Sequence, residues 1–342
     1  MLRLMAYLGR FGAFTSLRVT TNKGALSKGL AAALIMVFAG STAMAEAVLT
    51  PEQWTCVDQY TEHVNAKIKL KVPEKHLPRL FIPDGTPKDT VVIFTHGMFE
   101  SPYFFKGINS TFQEQGYISL SILLPGHWEG DWSSAKNVSF RDWMKEINTN
   151  IKMAQCFGKK IIFAGHSAGG LLSIWAALSH PEITEALMLW APAVDLRALP
   201  SVGMAIGGFL HLNGNIVMGS ANLDETPLYS PHASKQIQKL IDYTANKFGG
   251  GNMVNVYRKI TVPTFLAYAE KDPAIDTDEL TRAAHAIAGI KDVMYFPKNT
   301  LVHHGNITKF PGDAYQKKTG DYNLKWGTMQ IRVVKFLRGF VN

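Results

Sequence analysis

The sequence predicts an α/β protein built on a mostly parallel, doubly wound sheet, with one segment inserted between two of its strands. Three observations carry this expectation. Val91-Val92-Ile93-Phe94 and Ala186-Leu187-Met188-Leu189-Trp190 are apolar on both faces, as strands covered above and below by helices must be. Helical patterns alternate with such runs at Ser101 to Gln115, Ser139 to Phe157, the stretch after Ser167 and Thr277 to Ala288. The rhythm breaks from about Leu196 to Arg258, and within that gap Ser201 to Ser220 is rich in Gly, Met, Ile and Leu and holds no charged residue. Residues 196–258 therefore read as a cap over the site, with soft apolar side chains able to line a pocket.

The chain has 342 residues and a formal charge of +8. Five of its 35 basic residues and none of its 27 acidic ones fall in residues 1–45, so the remainder carries 30 basic against 27 acidic groups. That leaves no clustered basic face of the kind nucleic-acid binding requires. Gly29 to Ala39 is an apolar run preceded by Lys28 and followed by Ala43-Met44-Ala45. This is the order of a secretory signal, with cleavage near Ala45 and a secreted or periplasmic product; a membrane anchor and an organelle signal are the alternatives. Only Cys56 and Cys156 are present. They either pair in an oxidising compartment or stay as buried thiols, and no metal-binding spacing is seen.

After the leader, residues 46–195 and 259–342 read as the core. Thr50 to His63 opens as a capped helix with proline at its first position. Ala66 to Val72 and Leu77 to Ile82 alternate as edge strands punctuated by Pro73, Pro78 and Pro83. The strand at Val91 ends in His96-Gly97-Met98, and the strand Tyr117 to Leu124 ends in Pro125-Gly126-His127. Phe140, Trp143, Met144, Ile147 and Ile151 form the core stripe of the next helix. Val262 to Tyr268 and Lys291 to Phe296 are the last two strands, and Tyr322 to Val341 closes the chain as a helix.

Ile161 to Ala164 runs directly into Gly165-His166-Ser167-Ala168-Gly169, and an apolar helical pattern follows at once. A serine on such a strand-to-helix turn is forced into a strained conformation that lifts its hydroxyl above the sheet. Asp272 follows the strand at Val262, where a carboxylate can accept from an imidazole, whereas Glu270 faces the sheet or solvent. Beyond the last strand lies the pair His303-His304. The order Ser167, Asp272, His304 thus sets a nucleophile, an acid and a base at three strand ends. His303 is the alternative base and Asp195 the alternative acid. The amides of Met98 and Ala168 are the expected oxyanion donors, with His96 packed beneath the loop.

His96-Gly97-Met98-Phe99-Glu100-Ser101-Pro102-Tyr103, Pro125-Gly126-His127, Gly165 to Gly170 and Glu270-Lys271-Asp272 together resemble the carboxylesterases and monoacylglycerol lipases of the α/β-hydrolase superfamily, with their serine-aminopeptidase-like relatives. The resemblance covers roughly residues 85–340 outside the cap. The family usually follows Pro-Gly-His with glycine, where this chain has Trp128, and the Val302-x-His304-x-x-Ile307 setting resembles its base loop. It implies the α/β-hydrolase fold and a serine hydrolase that cleaves acyl esters without cofactor or metal. The expected partner is a small ester or lipid, with a transient lipid-surface contact through the cap. A peptidase, an acyltransferase, a carbon–carbon hydrolase and a non-catalytic scaffold are the competing readings.

Overall fold

The computed structural model describes residues 48–98, 100–128, 137–196, 216–217, 228–229, 231–313 and 320–339. The expected signal segment, with its cleavage near Ala45, and most of residues 197–230 lie outside these.

The molecule is organised by a seven-stranded sheet. Its strands are β1 (Arg79–Phe81), β2 (Thr90–Thr95), β3 (Ile118–Ile122), β4 (Lys160–His166), β5 (Thr184–Trp190), β8 (Thr264–Ala269) and β9 (Ile290–Phe296). Their order is β1-β3-β2-β4-β5-β8-β9; β1 runs antiparallel to β3 and every other pairing is parallel. Between β5 and β8 the pair β6 (Ile216–Val217) and β7 (Leu228–Tyr229) forms a small antiparallel ribbon.

Strand side chains alternate between two apolar clusters. Val91, Ile93, Ile161, Phe163, Leu187 and Leu189 enter one; Val92, Phe94, Ile162, Ala164, Ala186 and Met188 enter the other. Period-two alternation in which both sets are apolar explains why these strands read as continuous hydrophobic runs. The first cluster is covered by α1 (Pro51–Lys69), α3 (Phe140–Gln155), α4 (Ala168–Ser179), α5 (Pro231–Gly249), α6 (Met253–Arg258) and α7 (Thr277–Ala286). The second is covered by α2 (Lys106–Glu114) and α8 (Trp326–Arg338). Ile237, Leu240, Val256 and Tyr257 belong to the first cluster, so α5 and α6 of the inserted region lie in the same helical layer as α3 and α4.

The N-terminal segment differs from expectation. Residues 66–69 finish α1 instead of starting an edge strand. A capping box between Thr50 and Gln53 starts the helix, and the buried stripe Val57, Tyr60, Val64 continues to Lys67, whose ammonium reaches Glu146 on α3 (3.4 Å). The alternation of Lys67 to Val72 fits a strand locally, but the helical stripe has a partner to pack against and prevails. The second expected edge strand is present as β1. The helix expected from Ser101 opens as a 3-10 turn, Pro102–Phe105, before α2. Cys56 on α1 and Cys156 at the end of α3 are joined as a disulfide, with Cα atoms 6.2 Å apart.

Candidate active site

β4 delivers Ser167 at its carboxyl end, between its last residue, His166, and the first of α4, Ala168. Ser167 has φ 53° and ψ −121°, a conformation that a residue with a side chain avoids and that is held here by its surroundings. Its N–H donates to Trp190 O on β5 (3.0 Å), and its carbonyl accepts from Ala193 (2.9 Å). The flanking glycines are required by contact: a Cβ on Gly169 would lie 2.0 Å from Thr95 O, and one on Gly165 2.3 Å from Gly169 O. Thus β2, β4 and α4 meet with only backbone between them.

Three side chains from separate strand ends converge. Asp272, fully buried after β8, lies 2.7 Å through Oδ2 from His304 Nδ1, and His304 Nε2 lies 2.9 Å from Ser167 Oγ. A carboxylate only accepts, so Nδ1 carries the imidazole proton and Nε2 is left to accept from the serine hydroxyl. Burial pushes the Asp272 carboxyl up, but the His304 ring and the amides of Ile275 and Ala274 outweigh it, keeping Asp272 below the ordinary carboxylate range. The aspartate is therefore an ionised orienter.

The alternatives lie elsewhere. His303 caps the short 3-10 turn His304–Asn306 through the Gly305 amide (3.2 Å), and its other ring nitrogen faces Asp321 (3.8 Å). Asp195 lies beside Asp276 and Glu279; burial and those two carboxylates push it up, the opposite of what holding an imidazolium requires. Glu270 is exposed and accepts from the Lys298 amide.

Of the two expected oxyanion donors, Ala168 directly follows the serine and Met98 follows Gly97. Gly97 stands so near that a Cβ there would come within 3.0 Å of Ser167 Cβ, so the residue before Met98 lies against the nucleophile. Ala168 opens α4, where the helix N-terminus favours negative charge. His96 is fully buried: Nδ1–H donates to Gly97 O (2.7 Å) and Nε2 accepts from the Leu124 amide (3.1 Å). Burial, aided by the His127 ring, pulls it down to about 3, so it is a neutral prop beneath the loop.

Glu100 was not singled out by the sequence reading. Its Oε2 accepts from the Gly97 amide and from His166 Nδ1, each at 2.8 Å, joining the loop after β2 to the turn that holds Ser167. Burial raises this carboxyl, but His166 and the Gly97 amide prevail and hold it at about 2. An acid three residues after the His-Gly glycine, in reach of a turn amide, was the available signal. Among the described residues, no cluster of three or more His, Cys, Asp or Glu side chains could hold a metal ion.

With this geometry established, comparison with known proteins is informative. The family model described as serine aminopeptidase, S33, matches residues 86–246. A thermostable monoacylglycerol lipase from Bacillus sp. (strain H-257) is 27% identical over 119 residues, 35% of this chain and 46% of that protein. Phospholipase YtpA of Bacillus subtilis (strain 168) is 28% identical over 109 residues, 31% of this chain and 42% of that protein. The matches thus span just under half the length of either relative. Among solved structures, a soluble variant of monoglyceride lipase from Saccharomyces cerevisiae superposes with TM-score 0.59 at 14% identity, covering 76% of this chain and 91% of that one. The monoacylglycerol lipase of Paleococcus ferrophilus does so with TM-score 0.53 at 17% identity, covering 76% and 98%. At such identities the structures speak for the fold. Sheet order, the site at the strand ends and the structural likeness give this chain the α/β-hydrolase fold. Within it, the chain resembles the monoacylglycerol-lipase-like carboxylesterases.

Proposed function

We propose that the chain is a serine hydrolase that cleaves carboxylic esters through an acyl-enzyme on Ser167. The observation that carries this reading is the continuous path Asp272 Oδ2, His304 Nδ1, His304 Nε2, Ser167 Oγ, with links of 2.7 and 2.9 Å. His304 takes the serine proton as Oγ attacks the ester carbonyl, while Asp272 stabilises the imidazolium. The amides of Met98 and Ala168 hold the oxyanion. His304 then protonates the leaving alcohol, and water repeats the sequence on the acyl group.

The substrate we propose is a lipid-like acyl ester. In support, Ser201 to Ser220 carries no charge between two core strands, and the chain resembles lipolytic relatives. Export is also our proposal. It is supported by the acid-free leader and by the Cys56–Cys156 disulfide, which forms and persists in oxidising compartments. No described helix is long and apolar enough to cross a membrane.

A series of p-nitrophenyl esters from acetate to palmitate tests the reading, with Ser167→Ala as control. Turnover that rises toward longer acyl chains and vanishes in the variant is expected. A peak at acetate would contradict the lipid-like substrate, and full turnover in Ser167→Ala would contradict the mechanism.

A further inference from the structure

Trp128 follows the Pro125-Gly126-His127 turn with φ 55°, the left-handed region that bulky side chains avoid. A residue persists in such a conformation only where its surroundings over-determine it. Here they do. The indole is buried, 4% exposed, and lies flat on the ring of His76, with centroids 3.5 Å apart and planes 14° from parallel. Its Nε1–H donates to Glu100 O (3.0 Å). The turn behind it is fixed separately, since Trp143 Nε1–H donates to Pro125 O (3.1 Å) and the His127 ring meets His96 edge-on.

These contacts lead to one place. Glu100 closes the turn that contains Met98: its N–H donates to Gly97 O (3.2 Å) and its carboxylate accepts from the Gly97 amide (2.8 Å). Ser101, the next residue, is tied through Oγ to His76 Nδ1 (2.7 Å), the ring on which Trp128 is stacked. Trp128 therefore holds two consecutive residues of the loop, Glu100 directly through its carbonyl and Ser101 through His76. Both sit just beyond the amide assigned to the oxyanion.

We infer that Trp128 is a positioning residue for the oxyanion hole: stacked on His76 and bonded to the Glu100 carbonyl, it fixes the Gly97-to-Ser101 turn so that the Met98 amide is preset over Ser167. The inference rests on the ester-hydrolase reading above. Its consequence is specific. A donor that strengthens only as charge develops affects the transition state and leaves substrate binding unchanged. Loosening the clamp should thus lower kcat with little effect on KM.

The experiment compares the wild-type chain with Trp128→Phe, which keeps a ring on His76 and loses the donor, and Trp128→Gly, which relieves the φ strain and loses both contacts. Each is assayed for kcat and KM on one p-nitrophenyl ester, and for Ki of a trifluoromethyl ketone, whose adduct with Ser167 carries the oxyanion. Circular dichroism reports the fold. In Trp128→Phe, kcat should fall about ten- to a hundredfold and Ki should rise in parallel, with KM within about twofold. Trp128→Gly should fall at least as far despite its easier backbone. Ser101→Ala, which releases the far end of the tether, should shift kcat and Ki in the same direction and keeps the test open if the tryptophan variants do not fold. Unchanged kcat and Ki in a folded variant, or a raised KM with kcat intact, would overturn the inference while leaving the esterase reading in place. A wild-type chain that turned over no ester would remove both.

Discussion

At the scale of single residues, the proposed chemistry rests on the imidazole of His304 and the carboxylate that fixes its tautomer. Asp272→Asn would leave the geometry nearly unchanged but replace an acceptor-only group with one that can donate, favouring the wrong tautomer. A fall in kcat on the order of 10⁴ is expected, with the thermal midpoint little altered; a kinetic assay beside a melting curve checks this. Ser167 and Asp272 were legible in the sequence because each sits at a strand end in the required order. The choice between His303 and His304 rested only on the spacing to Val302 and Ile307, since adjacent residues share every sequence-level feature. It is the 3-10 turn, capped by His303 through the Gly305 amide, that presents His304 to Ser167. Glu100 escaped notice, and Trp128 stood out only as a departure from the family's glycine, for a related reason: both bond to backbone groups of a loop, and loop geometry leaves no periodicity to read.

At the scale of elements, the turn between β4 and α4 works because nothing but backbone fills it. Gly169→Ala would place a methyl group 2.0 Å from Thr95 O, an atom fixed in the central strand pair. The expected cost is about 3 kcal/mol or more, read as a lowered denaturation midpoint or loss of soluble protein. The elements themselves were largely readable. β2, β4, β5 and β8 announced themselves as short apolar runs because both faces of each are covered. The error at Ala66 to Val72 arose where a helix and a strand pattern overlap, and only the buried pairing of Lys67 with Glu146, on a helix some eighty positions later, decides between them. The broken rhythm of residues 196–258 reads as a cap, whereas α5 and α6 within it pack against the main core through contacts a single sequence does not express.

At the scale of the whole molecule, two long-range devices set stability. The Cys56–Cys156 bond closes a separation of 100 residues and fastens α1 to the end of α3. In the chain-entropy model such a bridge contributes about 4 to 5 kcal/mol. A Cys56→Ser, Cys156→Ser double variant should show that loss in urea unfolding, and added reductant should destabilise the wild type but not the variant. The second device is acid sensitivity. His96 has its native pKa lowered from 6.5 to about 3, so between those values the unfolded chain binds a proton that the folded chain refuses. Glu100, lowered from 4.5 to about 2, acts in the same direction over its own range. Stability should therefore be full above about pH 6.5 and decline steadily as the pH falls to about 2. Melting temperatures across that range would check it, with His96→Gln flattening the upper part of the slope.

The central claim is that Ser167, set above the sheet and linked through His304 to Asp272, is a nucleophile that accepts an acyl group. The most direct measurement is incubation of the folded wild-type chain with a fluorophosphonate, followed by peptide mass mapping. One adduct per chain is expected, on the peptide carrying Gly165 to Gly170, at Ser167, and none in Ser167→Ala. An unlabelled wild-type chain, or label on another serine, would contradict it.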